Sequence, residues 1–139
     1  VTPYLARITL YPFKSLDGQD VEEAVVLRNA GLRHDREYCL LDESGVTLNG
    51  KRLGAALIGI RSEVHFGFGE ITLCDGRGAH TFRLERDAEK LTGWFSERLG
   101  QSVRLARNSE CGFPDDTDAS GPTLISTATL EEVGSWFGL

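Results

Sequence analysis

The stretch Glu70-Ile71-Thr72-Leu73-Cys74, followed by Asp75-Gly76-Arg77-Gly78 and then Thr81-Phe82-Arg83-Leu84, decides the fold class. Ile71 and Leu73 alternate with Thr72, the period of a strand with one buried face. Asp75-Gly76-Arg77-Gly78 is a tight turn, because glycine accepts positive φ without steric cost. The next strand follows at once, so the segment predicts an antiparallel hairpin.

The same pattern recurs on both sides. Upstream, Leu5–Tyr11 alternates and ends at Pro12, and Asp20–Leu27 carries Val21, Ala24, Val25 and Val26. Tyr38–Leu41 is a short apolar strand, and Val46–Leu48 can pair back on it across Asp42-Glu43-Ser44-Gly45. Asn49-Gly50 is a further turn signal. Leu57–Phe66 alternates loosely, Gly67-Phe68-Gly69 reads as a hairpin between two strands, and Val103–Ala106 is a last short strand. One helix is expected in this body, about Ala88–Leu99. Leu91, Trp94, Phe95 and Leu99 fall on one stripe, with Asp87 as N-cap and Gly100 as the stop. The expected class is mainly β: a small antiparallel barrel of seven or eight strands with one packed helix.

Charge divides the chain. Residues 1–107 hold all 15 Lys and Arg and balance them with acids; the remaining acids, and with them the whole net charge of −6, lie in residues 108–139. A neutral body with an acidic tail is a poor partner for nucleic acid, which requires a field of cations. No apolar run reaches the length of a membrane span. Three cysteines, Cys39, Cys74 and Cys111, are widely spaced and argue for a reducing compartment such as the cytoplasm rather than a disulfide framework. Cys39 and Cys74 are expected to be buried.

The tail has its own character. Asn108–Gly121 reads as a polar linker, and its Asp115-Asp116-Thr117-Asp118 run lacks the Gly and Glu of a calcium loop, so solvated chain is expected. Thr123–Ser126 is strand-like. Thr129-Leu130-Glu131-Glu132 has the form of a capping box with Thr129 as N-cap. Leu130, Val133, Trp136 and Phe137 then form an apolar stripe on a helix too short to stand alone. It must dock on the body, another copy or a further domain. Trp94 and Trp136 are both expected to be core anchors.

Candidate chemistry is confined to cations near turns: Lys14 with Ser15, Arg33-His34-Asp35-Arg36, and Lys51-Arg52. Gathered at one mouth of a barrel, they would form an anion pocket, Arg supplying a planar fork and Lys a point charge. The plainer reading leaves them solvated, with Asp35 pairing Arg33 or Arg36. His34, His65 and His80 have no metal spacing. No nucleophile elbow, P-loop or dinucleotide fingerprint occurs, so an autonomous enzyme is not expected.

Tyr11-Pro12-Phe13-Lys14-Ser15-Leu16-Asp17-Gly18 resembles the Y-P-x-K-S-x-x-G opening of the MOSC N-terminal β-barrel domain family. Gly31-Leu32 with Asp35-Arg36 resembles its G-L-x-x-D-R motif. Phe113-Pro114-Asp115 and Leu124–Leu130 resemble the lead-in to the MOSC domain itself. The resemblance implies a barrel domain over 1–107, then an acidic linker and the start of a MOSC domain over 108–139. It implies a molybdenum cofactor (molybdopterin) in the full-length protein, with Lys14, Ser15 and Arg36 at the pterin phosphate. Tyr38 stands where the family usually has Trp, and nothing is carried over to Lys51. The family's molybdenum-ligating Cys lies beyond residue 139, so neither bound cofactor nor catalysis is expected of this chain alone. The implied partners are a C-terminal MOSC domain and an electron-transfer partner, with a homodimer also compatible. The alternative is a stand-alone ligand- or protein-interaction barrel that has kept the fold without the cofactor.

Overall fold

The computed structural model describes residues 2–67 and 69–139. Phe68, within the expected Gly67–Gly69 hairpin, lies outside the described residues. Among the described residues, seven short strands form three separate antiparallel sheets: β1 (Ile8–Leu10) with β2 (Gln19–Val21), β3 (Tyr38–Leu41) with β7 (Arg104–Arg107), and a three-stranded β4 (Arg61–His65), β5 (Glu70–Asp75), β6 (Gly78–Arg83). Two one-turn helices, α1 (Gly50–Leu53) and α2 (Ala55–Ile58), precede β4; α3 spans Ala88–Leu99 and α4 spans Thr127–Trp136.

The mainly β class and the antiparallel pairing agree with the sequence. The barrel does not close through backbone ladders among the described residues. The reason lies in strand length and breaks. Pro12 comes two residues after β1 ends, β1 and β2 have three residues each, and α1 and α2 stand between β3 and β4. Side chains cross the gap instead. Asp17 accepts from the Ser62 N–H at 2.9 Å, while the Asp17 N–H donates to Ser62 Oγ at 3.2 Å.

The core lies between the three-stranded sheet, β3 and α3. Ile71 and Leu73 of β5 are fully buried, as their alternation requires. Leu91, Trp94 and Phe95 form the buried face of α3, with Leu99 packed against the same cluster. Phe13 stacks on Tyr38 at 4.8 Å between ring centroids and lies 6.5 Å from Phe95, so the segment after β1 is anchored to the centre. Gly100 ends α3 in the left-handed region at φ +65°, where a Cβ would be strained.

Several local expectations are corrected. Asn49 does not make a simple turn: its side chain accepts from the Arg52 N–H and caps α1. The expected strand start at Leu57 is the buried face of α2, since Leu57 and Ile60 lie three apart. Val25 and Val26 are exposed beyond the end of β2, where no strand pairs with them beyond a single bridge from Val26 to Leu32. Asp87 is the N-cap residue of α3, as expected, and its carbonyl accepts from the Leu91 N–H, but its side chain makes no capping bond; the carboxylate accepts from the Arg83 N–H at 3.1 Å instead. Residues 123–126 are not a strand. Ser126, not Thr129, caps α4, accepting from the Thr129 N–H at 3.0 Å. Cys39 is buried, whereas Cys74 is exposed on the outer side of β5. Trp94 is a core anchor, and Trp136 is not: it is 69% exposed, and no residue of α4 is buried.

Candidate functional site

The backbone explains why Lys14 and Arg36 are neighbours. The Arg36 N–H donates to the Tyr11 carbonyl at 2.6 Å, the Tyr38 N–H to Pro12 at 3.0 Å, and the Lys14 N–H to Tyr38 at 2.8 Å. Residues 11–14 and 36–38 are thus zipped side by side, and the Phe13–Tyr38 stack locks the pair beneath. Ser15, His34 and Arg36 all have positive φ, at 70°, 69° and 50°. Non-glycine residues adopt this region only where the surroundings over-determine it. Here the zipped segments and the buried Phe13 and Leu16 do so.

A cleft of about 930 Å³ opens beside this junction. Lys14, Ser15, Arg36 and Lys51 line it together with Arg7, Asp35 and Asp115; Leu5, Tyr11, Leu124 and Ile125 contribute apolar surface. The cations of three separate turns therefore share one cleft. Arg33 and His34 do not join them. His34 turns toward a second, smaller pocket, stacks on Phe66 at 4.7 Å and meets the buried Glu37 at 2.6 Å. Arg52 pairs with Asp42 at 2.9 Å.

The cations are not bare. Asp35 holds Arg36 Nε at 2.9 Å with one oxygen and accepts from the Tyr11 N–H at 2.8 Å with the other. The more unexpected partner is Asp115. Its Oδ1 lies 2.8 Å from Lys14 Nζ and its Oδ2 lies 3.7 Å from Arg36 Nη1. Lys14 also donates to the carbonyls of Phe113, at 2.9 Å, and Pro114, at 3.4 Å. Chiefly through the hydrogen bond from Lys14, the Asp115 carboxyl is held below its ordinary range. A single carboxylate thus spans the two cations, so the arrangement can bind an anion; this chain supplies one of its own.

Asp115 reaches the cleft because the segment read as a solvated linker is a strap fastened to the body. The Phe113 N–H donates to Arg36, the Asn108 N–H donates to Glu37, and Asn29 holds Cys111 through a side-chain bond at 3.0 Å. Ser120 is buried and donates to the Asn29 carbonyl. The signal available in the sequence was the acidic excess of residues 108–139 against the turn cations of the body; its register was not. Among the described residues, no three His, Cys, Asp or Glu side chains are grouped so as to hold a metal ion, and no helix is long and apolar enough to cross a membrane.

Residues 2–65 match the family described as the MOSC N-terminal beta barrel domain. The chain is 39% identical over 103 residues to molybdenum cofactor sulfurase 1 of Aedes aegypti, an alignment covering 74% of this chain and 12% of that protein. It is 38% identical over 71 residues to molybdenum cofactor sulfurase 3 of the same mosquito, covering 51% of this chain and 9% of that protein. Against molybdenum cofactor sulfurase 2 of Culex quinquefasciatus it is 39% identical over 51 residues, which cover 37% of this chain and 7% of the relative. The aligned part thus spans about an eighth or less of each relative's length. The similarity to the MOSC N-terminal beta barrel domain family thus lies in residues 2–65, a little under half of this chain.

Proposed function

We propose that this chain serves as the N-terminal accessory domain of a molybdenum-cofactor protein of the MOSC type, seating the pterin phosphate between Lys14 and Arg36 without catalysing a reaction itself. The observation that carries this reading is the meeting of both cations at one carboxylate. A carboxylate and a phosphate ask for the same donors: a Lys point charge, an Arg N–H and a nearby hydroxyl. Ser15, exposed at the mouth of the cleft, offers the hydroxyl. The donor set fits the anionic end of molybdopterin and not its metal, since neither thiol nor imidazole lines the cleft. The cofactor's redox or sulfur chemistry would be supplied with residues from elsewhere, and the apolar wall at Leu124 and Ile125 would face the rest of the ligand.

One observation favours the alternative, an interaction barrel without cofactor. Asp35 and Asp115 already pair the two cations. The two readings separate on phosphate binding. Titration of the chain with inorganic phosphate, followed by ³¹P NMR, should show saturable binding that Lys14→Ala and Arg36→Ala each weaken about tenfold or more, the scale of a lost charge-assisted hydrogen bond. Affinity unchanged by either substitution would remove the cofactor reading and leave the interaction barrel.

A further inference from the structure

Asp115 stands where the proposed phosphate would sit, and the strap has several other ties to the body. Phe113 is tied to Arg36 through the backbone, Asn108 to Glu37, Cys111 to Asn29, and Ser120 to Asn29, all without Asp115. Each cation also keeps another partner if Asp115 leaves. Lys14 retains the carbonyls of Phe113 and Pro114, and Arg36 retains Asp35. The two ends of the ion pair differ in freedom: the Lys14 side chain is 13% exposed, whereas that of Asp115 is 82% exposed. A fixed, sheltered cation therefore faces a carboxylate that can rotate into water. An ion pair with one partner so exposed is weak.

We propose that Asp115 is a built-in competitor for the Lys14–Arg36 seat, an autoinhibitory carboxylate that an incoming phosphate group must displace. This rests on the anion-seat reading given above and adds a regulation to it. While Asp115 is in place, Lys14, Arg36 and Lys51 face two carboxylates, Asp35 and Asp115; once it swings out they face one. A phosphate carrying about two negative charges gains more from that site than the single charge it replaces. Free anions without further contacts meet competition, while a phosphate monoester that also covers the apolar wall at Tyr11, Leu124 and Ile125 brings the extra contacts to open the seat.

The test is titration of the full chain with inorganic phosphate in wild type, Asp115→Asn, Asp115→Ser and Asp118→Asn, each confirmed folded by its thermal transition. Asp118 belongs to the same acidic run but lies outside the cleft, so its variant removes equal net charge at a different place. Both Asp115 variants should bind phosphate about three- to tenfold more tightly, the range expected for releasing one exposed pair. Asp118→Asn should match wild type, and Lys14→Ala in the Asp115→Asn background should abolish the gain. If wild type binds phosphate through Lys14 but neither Asp115 variant binds more tightly, the competitor is overturned and the seat stands. An equal gain in Asp118→Asn would also overturn it, as bulk charge. If neither wild type nor the Asp115 variants bind phosphate, seat and competitor fall together.

Discussion

The side-chain amide of Gln19 bonds both backbone groups of Val64: Nε2 donates to the Val64 carbonyl at 2.9 Å, and Oε1 accepts from its N–H at 2.5 Å. A side chain thus acts as one rung of the ladder that β2 and β4 do not form. Val64 is 4% exposed, so neither backbone group has ready access to water once the amide is lost. Gln19→Ala should therefore destabilise the chain by about 1–3 kcal/mol, the cost of leaving a buried polar group unpaired. Gln19→Glu keeps the acceptor and loses the donor, and should fall between. Urea denaturation of the three proteins checks this order. Equal stability of Gln19→Ala and wild type would mean that the seam between the two sheets closes without this residue.

Glu37 supplies a pH dependence whose sign is fixed by its surroundings. Burial pushes its pKa up, but hydrogen bonds from His34 and Arg107, at 2.6 and 2.7 Å, and their charges together outweigh it, leaving the carboxyl below its ordinary value. A carboxylate depressed in the folded state contributes stability above its unfolded pKa of 4.5 and loses it as pH falls through the lower folded value. Wild type should thus lose stability steadily on acidification below about pH 4.5. Glu37→Gln should be less stable at neutral pH by roughly 1–3 kcal/mol, because Arg107 loses its charged partner, and should show a flatter acid limb. Melting temperatures from pH 3 to pH 7 read both effects. An acid limb of equal slope in the two proteins would assign it to other carboxylates.

What could be read from the sequence follows from how local each signal is. The α3 stripe and the β5 alternation need only neighbours three, four or two residues away, and Leu91, Trp94, Phe95, Ile71 and Leu73 are buried accordingly. Residues with two uses are not decided by local sequence. Asn49 suits a turn or a helix cap, and Ser126 and Thr129, three apart, are equally good capping residues. Val25 and Val26 have strand propensity, but propensity does not provide a partner strand. The turns alone leave open whether Lys14 and Arg36 meet or stay solvated; only the family resemblance puts both at one phosphate. The arrival of Asp115 is signalled by neither, since it depends on ties between residues about eighty to one hundred apart in the chain.

Gly112 offers a direct handle on the strap. Its φ is +65°, and a Cβ built there would lie 2.6 Å from the Asp35 carbonyl oxygen and 3.2 Å from that of Arg36. Both contacts are with backbone, which cannot rotate away as a side chain can. Gly112→Ala therefore adds a clash to an unfavourable backbone conformation, and should cost about 1–3 kcal/mol. The strap should lift first, because isolated bonds hold it rather than a continuous ladder: the Phe113 N–H to Arg36, Lys14 to the Phe113 carbonyl, and Asn29 to the Cys111 carbonyl. Amide exchange should accelerate at Phe113 and Asn108 while α3 keeps its protection. A uniform loss of protection would mean that the strap is an integral part of the cooperative core.

α4 is the opposite case, an element whose removal should cost the body almost nothing. Leu130, Val133, Trp136 and Phe137 are 48%, 36%, 69% and 74% exposed, and none of its ten residues is buried. Its polar contacts are internal: Ser126 with Thr129, Ser135 with Glu132, and Trp136 Nε1 with Glu132 at 3.0 Å. A helix of this length is marginal in water without packing, so its apolar face contributes to stability only where something covers it. A chain ending at Ser126 should unfold with the same midpoint as the full chain, within about 0.5 kcal/mol. It should also bind less of a hydrophobic dye such as ANS, since the exposed Trp136 and Phe137 are gone. The expected comparison is made by urea denaturation and dye fluorescence on the two chains. A loss of 2 kcal/mol or more, on the order of one buried apolar side chain, would show that α4 packs on its own body in solution, and would remove the reason to look for a covering surface elsewhere.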